Sequence, residues 1–132
     1  MNCLIDTHIL LWSAISPEKI SSKINRVLLV PENSMMVSHI SFWEISLKYS
    51  VGKLQIQGLT PEDFPRIAGE TGFEQLPLTV DDFSTFHKLK GTAHRDPFDR
   101  MLAWQAIRHD LTLITEDSDF QEYTPLGLHI FK

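Results

Sequence analysis

The strongest constraint on this chain is its alternation of short apolar runs with longer segments of helical spacing. "NCLID", "SMMVSH", "FEQLPL", "LTLIT" and "LHIF" read as strands bounded by polar or turn residues. Between the first two lie "THILLWSAI", with Ile9, Leu10, Trp12 and Ile15 available for burial, and "SPEKISSKINRVLLV", a helix predicted to start at Ser16-Pro17 and end at Pro31. "SFWEISLKYS" has Ser41 at a plausible N-cap, Glu44 three residues later and Gly52 at its end. "TPEDFPRIAGE", "TVDDFSTFHKL" from near Thr79, and "DPFDRMLAWQAIRH" complete the helical set. Strands separated by helices imply crossover connections, hence a three-layer α/β fold with a central, mostly parallel sheet of about five short strands flanked by helices. At 132 residues and 42% hydrophobic, residues 1–132 suit a single domain with one core.

Charge narrows the function classes. A formal net charge of -5 argues against a protein that holds nucleic acid simply by being basic. The single cysteine, Cys3, lies in the first apolar run, cannot form an internal disulfide, and is expected to pack as a small hydrophobe. With no basic n-region before Asp6, a signal peptide is not expected. No uncharged stretch approaches the ~18 residues of a membrane span, so a cytoplasmic protein with no membrane association is expected.

In open parallel sheets, ligands bind beyond the carboxyl ends of the strands. Asp6 ends the first run, Glu44 lies in the helix after the second, and Asp117 follows "LTLIT". Asp99 lies one turn into the helix before that strand. Regular crossovers bring all four to one pocket. Clustered carboxylates repel one another and are costly to bury, unless they protonate or hold a cation. An oxygen-only set suits Mg²⁺ or Mn²⁺, and a pair of such ions can activate water and stabilise the leaving oxygen in phosphodiester hydrolysis. The histidines show no tight metal spacing. Each acid also has a purely structural reading. Asp96 before Pro97 suits an N-cap, with Asp99 a dipole-favoured acid in the first turn. Glu44 can complete a capping box with Ser41, Asp117 can start the turn in "TEDSDF", and Asp6 can cap the helix after it.

Four ordered stretches, "LIDTHILLW", "SFWEISLKYSVGKL", "HRDPFDRMLAWQA" and "LITEDSDF", make the chain resemble PIN-domain ribonucleases over nearly its whole length. The resemblance is strongest to the VapC-like toxins of type II toxin-antitoxin pairs. It implies that Asp6, Glu44, Asp99 and Asp117 are catalytic metal-site acids, with Asp96 an additional acid, and that Thr7 and Thr115 are the small hydroxyl residues beside them. It further implies a Mg²⁺- or Mn²⁺-dependent endoribonuclease, a homodimer, and a cognate antitoxin whose tail covers the active site.

Arg95 and Arg100, with Lys48, Lys53 and Lys90, are candidates for RNA phosphate contacts at the rim, although long basic side chains also simply solvate helix faces. Trp12, Phe42 and Trp43 read as core rather than base-stacking residues, since they lie at helical spacing among Leu and Ile. An exposed apolar strip would instead indicate an antitoxin or dimer contact. Two other classes compete with the nuclease. A receiver-like Mg²⁺-binding signalling domain has the right length, but the single Asp6 and the lack of a matching Lys speak against it. A catalytically silent PIN module acting only by partner binding is disfavoured by the intact acidic set.

Overall fold

The computed structural model describes residues 1–91 and 96–132. Strands β1 (Asn2–Ile5), β2 (Ser34–Ser38), β3 (Glu74–Leu76), β4 (Thr112–Ile114) and β5 (His129–Phe131) form one sheet in the order β3-β2-β1-β4-β5. Every neighbouring pair is parallel, with Leu4 opposite both Met36 and Leu113. This order differs from the 2-1-3-4-5 order of receiver-type sheets, so the topology rules out that alternative.

Six α-helices lie among the described residues: α1 (Thr7–Ile15), α2 (Ser22–Leu29), α3 (His39–Ser50), α4 (Phe64–Thr71), α5 (Val80–Thr85) and α6 (Pro97–Arg108). Their apolar faces cover both sides of the sheet. Because side chains alternate along a strand, Cys3 and Ile5 of β1 join Met35, Val37 and Ile114 in one core with Ile9 and Leu10 of α1, Ile24 of α2 and Ala68 of α4. Leu4 and Leu113 point the other way, into a second core with Met101, Leu102 and Ala106 of α6 and with Phe120. Cys3 is fully buried, as expected of a small apolar residue, and burial pushes its thiol pKa up.

Several helix starts follow local cap chemistry. Thr79 caps α5, its hydroxyl accepting from the Asp82 N–H while the Asp82 carboxylate accepts from the Thr79 N–H. Asp96 caps α6, accepting from the N–H groups of Phe98 and Asp99 at 2.8 and 3.4 Å. Two expectations are corrected. The segment from Ser16 is not one helix: a 3₁₀ turn at Pro17–Lys19 precedes α2, which begins afresh with the Ser21 hydroxyl accepting from Ile24 N–H. Helix α3 starts at His39 and is capped by Ser38, whose hydroxyl accepts from Ile40 N–H. Ser41 is therefore no cap, and Glu44 is not part of a capping box with it.

Candidate metal centre

The sheet order reverses direction between β1 and β4, which is where an open α/β sheet leaves a crevice beyond its carboxyl ends. Asp6 follows β1 there, while Thr115 and Asp117 follow β4. Asp6 sits at the N-cap position of α1 with extended backbone, yet its side chain makes no cap hydrogen bond. Its Oδ2 instead accepts from the Thr115 hydroxyl at 2.8 Å, across 109 residues of sequence. Thr115 Oγ1 in turn accepts from the Asp117 N–H at 3.0 Å. The other hydroxyl noted in sequence, that of Thr7, hydrogen-bonds Ser41 Oγ at 2.8 Å in a buried contact that ties the first turns of α1 and α3 together.

Glu44 projects from the second turn of α3 and is only 3% exposed. Its Oε2 receives the Lys48 ammonium one turn along the helix. The same ammonium lies 3.8 Å from Asp96 Oδ2. Oxygens of Glu44, Asp96 and Asp99 all lie within 4.8 Å of one another. Asp96 thus has two roles, since Oδ1 caps α6 while Oδ2 faces Lys48. Asp6 and Asp117 are not part of this group of three. Both line a cleft of ≈ 240 Å³ with His8, Trp12 and Glu116, and Asp117 also caps the 3₁₀ segment Ser118–Leu126 by accepting from Asp119 N–H. A second cleft of ≈ 260 Å³, lined by Thr7, His8, Glu44, Lys48 and Lys53 among others, opens on the Glu44 side. His8 borders both clefts. No pattern in the sequence singled it out, because its place follows from the β1–α1 turn and not from a spacing to another histidine.

The electrostatics are those of a crowded anionic site. Burial raises the Asp6 pKa and the nearby Glu44 adds to this, against the opposing effects of His8 and the Thr115 hydroxyl. For Lys48, burial acts to lower the pKa, but the hydrogen-bonded Glu44 and the charges of Asp96 and Asp99 outweigh it and hold the ammonium above its ordinary value. Of the three buried side-chain acceptors with no hydrogen-bond partner among the described residues, two are carboxylate oxygens of this site, Asp6 Oδ1 and Glu44 Oε1; the third is Gln105 Oε1. Buried carboxylate oxygens left without donors, in an oxygen-only set, fit a hard divalent cation.

The rim basic residues divide. Lys53 is exposed beside the second cleft, and Lys48 is engaged with the acids. Arg95 falls outside the described residues. Arg100, one of the candidates for a phosphate contact, is engaged within the chain. Its guanidinium donates to Gly91 O at 2.9 Å, Leu89 O at 3.0 Å and the Tyr123 hydroxyl at 3.1 Å, and lies near the Phe86 and Tyr123 rings. The core assignment of the aromatics holds in part. Trp12 and Phe42 pack against the first core, but Trp43 is 60% exposed and borders an apolar groove with Ile40, Phe83, Phe86, Phe98 and Met101.

Solved structures share this architecture. The chain is similar to a chain of VapBC2 from Rickettsia felis bound to a DNA fragment from its promoter (20% identity, 100% of each chain covered, TM-score 0.69). A chain of VapBC-1 from nontypeable Haemophilus influenzae is comparable, at 18% identity, 100% and 98% coverage and TM-score 0.69. So is one of DNA-bound VapBC from Salmonella typhimurium, at 21% identity, 99% and 97% coverage and TM-score 0.68. No curated protein matches the chain. At these identities the likeness establishes fold alone. The PIN domain family model, however, matches residues 3–124, nearly the whole sequence. With this match, the parallel sheet and the acids gathered at its carboxyl edge, the chain belongs to the PIN domain family.

Proposed function

We propose that the chain is an endoribonuclease dependent on Mg²⁺ or Mn²⁺, the toxin of a type II toxin-antitoxin pair, acting in the cytoplasm as a homodimer. PIN domains are generally nucleases. The observation that carries the reading is the convergence of Glu44, Asp96 and Asp99 beside the unpartnered oxygens of Asp6 and Glu44. Asp6, Glu44, Asp99 and Asp117 would hold the cation, with Asp96 as an additional ligand. When bound, it would supply Lewis-acid polarisation of the phosphodiester and activation of water at neutral pH.

The chain's own residues orient the acids. Thr115 fixes one oxygen of Asp6, leaving the other directed away from it, and the Thr7–Ser41 contact holds the α1 and α3 helix starts on which Asp6 and Glu44 depend. On this reading Lys48, Lys53 and Arg95 would contact RNA phosphates, whereas the Arg100 guanidinium is bonded to the carbonyls of Leu89 and Gly91. Solved structures similar to this chain include a toxin-antitoxin complex from Klebsiella pneumoniae and a member of the VapBC family of toxin-antitoxin systems from Mycobacterium tuberculosis. An antitoxin therefore suits the partner role, and the apolar groove beside Trp43 and Phe83 suits a protein contact.

The test is RNA cleavage by the purified chain with Mg²⁺ or Mn²⁺. Asp6→Asn and Asp99→Asn should each abolish cleavage, and a chelator should stop it until metal is restored. Full activity in both variants, or cleavage indifferent to chelator, refutes the proposal.

A further inference from the structure

Lys48 is a cation seated against two of these acids, Glu44 and Asp96, and where it sits conflicts with a second cation arriving. Its ammonium contacts Glu44 Oε2 and lies 3.8 Å from Asp96 Oδ2, so it already occupies the gap between two members of the acidic trio. Its side chain is 32% exposed, and the cleft it lines is shared with Lys53. A lysine ammonium is a point charge on a flexible four-carbon stem, well hydrated when released. A divalent ion is a stronger countercharge, but drawing Glu44 oxygens to it means displacing the ammonium that now holds one of them.

Resting on the reading that the acids hold a divalent cation, we propose that Lys48 is a built-in competitor for that ion. It neutralises Glu44 and Asp96 in the metal-free protein and is displaced toward the cleft when the ion enters. Two consequences follow. The resting protein avoids the full repulsion of its clustered carboxylates, at the cost of weaker metal binding. The displaced ammonium then becomes available to a phosphate beside Lys53, which reconciles its engagement with the acids and the sequence expectation of a phosphate contact.

The experiment compares full-length wild type, Lys48→Met and Lys48→Gln by Mn²⁺ titration, read from the electron paramagnetic resonance of free Mn²⁺, and by thermal melting in chelator. Both variants should bind Mn²⁺ about fivefold or more tightly than wild type, and both should melt at lower temperature than wild type when metal is absent. Equal or weaker Mn²⁺ binding by the variants, or unchanged melting in chelator, overturns the proposal while leaving the cation site intact. Absence of Mn²⁺ binding in all three proteins overturns the cation reading and the lysine proposal together. Wild type alone supplies a further check: with ¹³C-labelled lysine, the Lys48 Cε signal should move as Mg²⁺ saturates the site. A signal that stays in place under saturating Mg²⁺ also overturns the proposal.

Discussion

Replacing Asp6 by Asn should make the metal-free protein more stable while removing its activity. Asp6 is 2% exposed, one of its oxygens is satisfied by Thr115, and the other has no partner. An amide keeps an acceptor for the Thr115 hydroxyl and removes a buried charge that stands close enough to Glu44 to be destabilised by it. The amide leaves a polar group in place of Oδ1, so the relief is that of the buried charge alone, about 1–3 kcal/mol. For a domain of this size that raises the melting temperature by roughly 3–10 °C. The pH dependence has a definite sign. Burial raises the folded-state pKa of Asp6 above its ordinary value of 3.8, so below that pH both states are protonated and there is no penalty. As pH rises from 3.8 toward the folded-state pKa the penalty grows, and above the folded-state pKa it stays constant at its full value. The advantage of Asp6→Asn over wild type should therefore be absent in acid and complete at neutral pH. Added Mg²⁺ should narrow or reverse it, because only wild type gains the full ligand set. The assay is differential scanning calorimetry of both proteins, with chelator and with Mg²⁺, across that pH range. A variant less stable than wild type in chelator, or a difference that does not change with pH, would refute the reasoning.

Two further substitutions test how the elements around the site are held. Asp82 is fully buried; it closes the α5 capping box and pairs with Arg108 and with His109, 3.1 Å away. Asp82→Ala should cost about 2–4 kcal/mol in chemical denaturation. Burial acts to raise the Asp82 pKa, but the Thr79 N–H, His109 and Arg108 together hold it below 3.8. Its stabilisation is therefore present above that pH and is lost as pH falls through the lower folded-state value, a dependence the alanine variant should lack. Arg100→Lys cannot reproduce the fork that reaches both Leu89 O and Gly91 O, and it should lower stability by about 1–3 kcal/mol in the same assay. If Arg100 were instead a phosphate ligand, the lysine variant would keep its stability and lose affinity for RNA.

The architecture was legible because strand and helix periods are local properties, and every apolar run read as a strand became one. The cap of α6 was legible for the same reason, as Asp96-Pro97 carries its own stereochemistry. The α3 cap was misread because two serines compete three residues apart, and which one caps depends on where β2 ends. Ser41 was claimed instead by Thr7, 34 residues earlier, a contact no local pattern reveals. The use of the basic residues was hidden likewise. A guanidinium satisfies a phosphate or a backbone carbonyl equally well, and Arg100 meets the carbonyls of Leu89 and Gly91, 11 and 9 residues before it in the sequence. Trp43 sits at helical spacing among apolar residues, but its side of α3 turns outward onto a groove no other described element fills. The separate duties of the acids also lay beyond sequence. Asp117 and Asp96 make cap hydrogen bonds and Asp6 makes none, though all three occupy cap positions.

The hydrogen bond from Thr115 to Asp6 has a consequence for the order in which the molecule comes into being. β1 and β2 can pair early, but the strand that completes β1 on its other edge, and the hydroxyl that orients Asp6, lie 109 residues downstream. At ordinary rates of protein synthesis, on the order of ten seconds separate the making of the two. During that interval Asp6 has no Thr115, Asp99 has not been made for most of the time, and one edge of the central strand stands open. A growing chain therefore cannot assemble its cation site while most of it is still being synthesised. Whatever chemistry the site performs is withheld until β4 docks, so activity is timed by topology as well as by any partner.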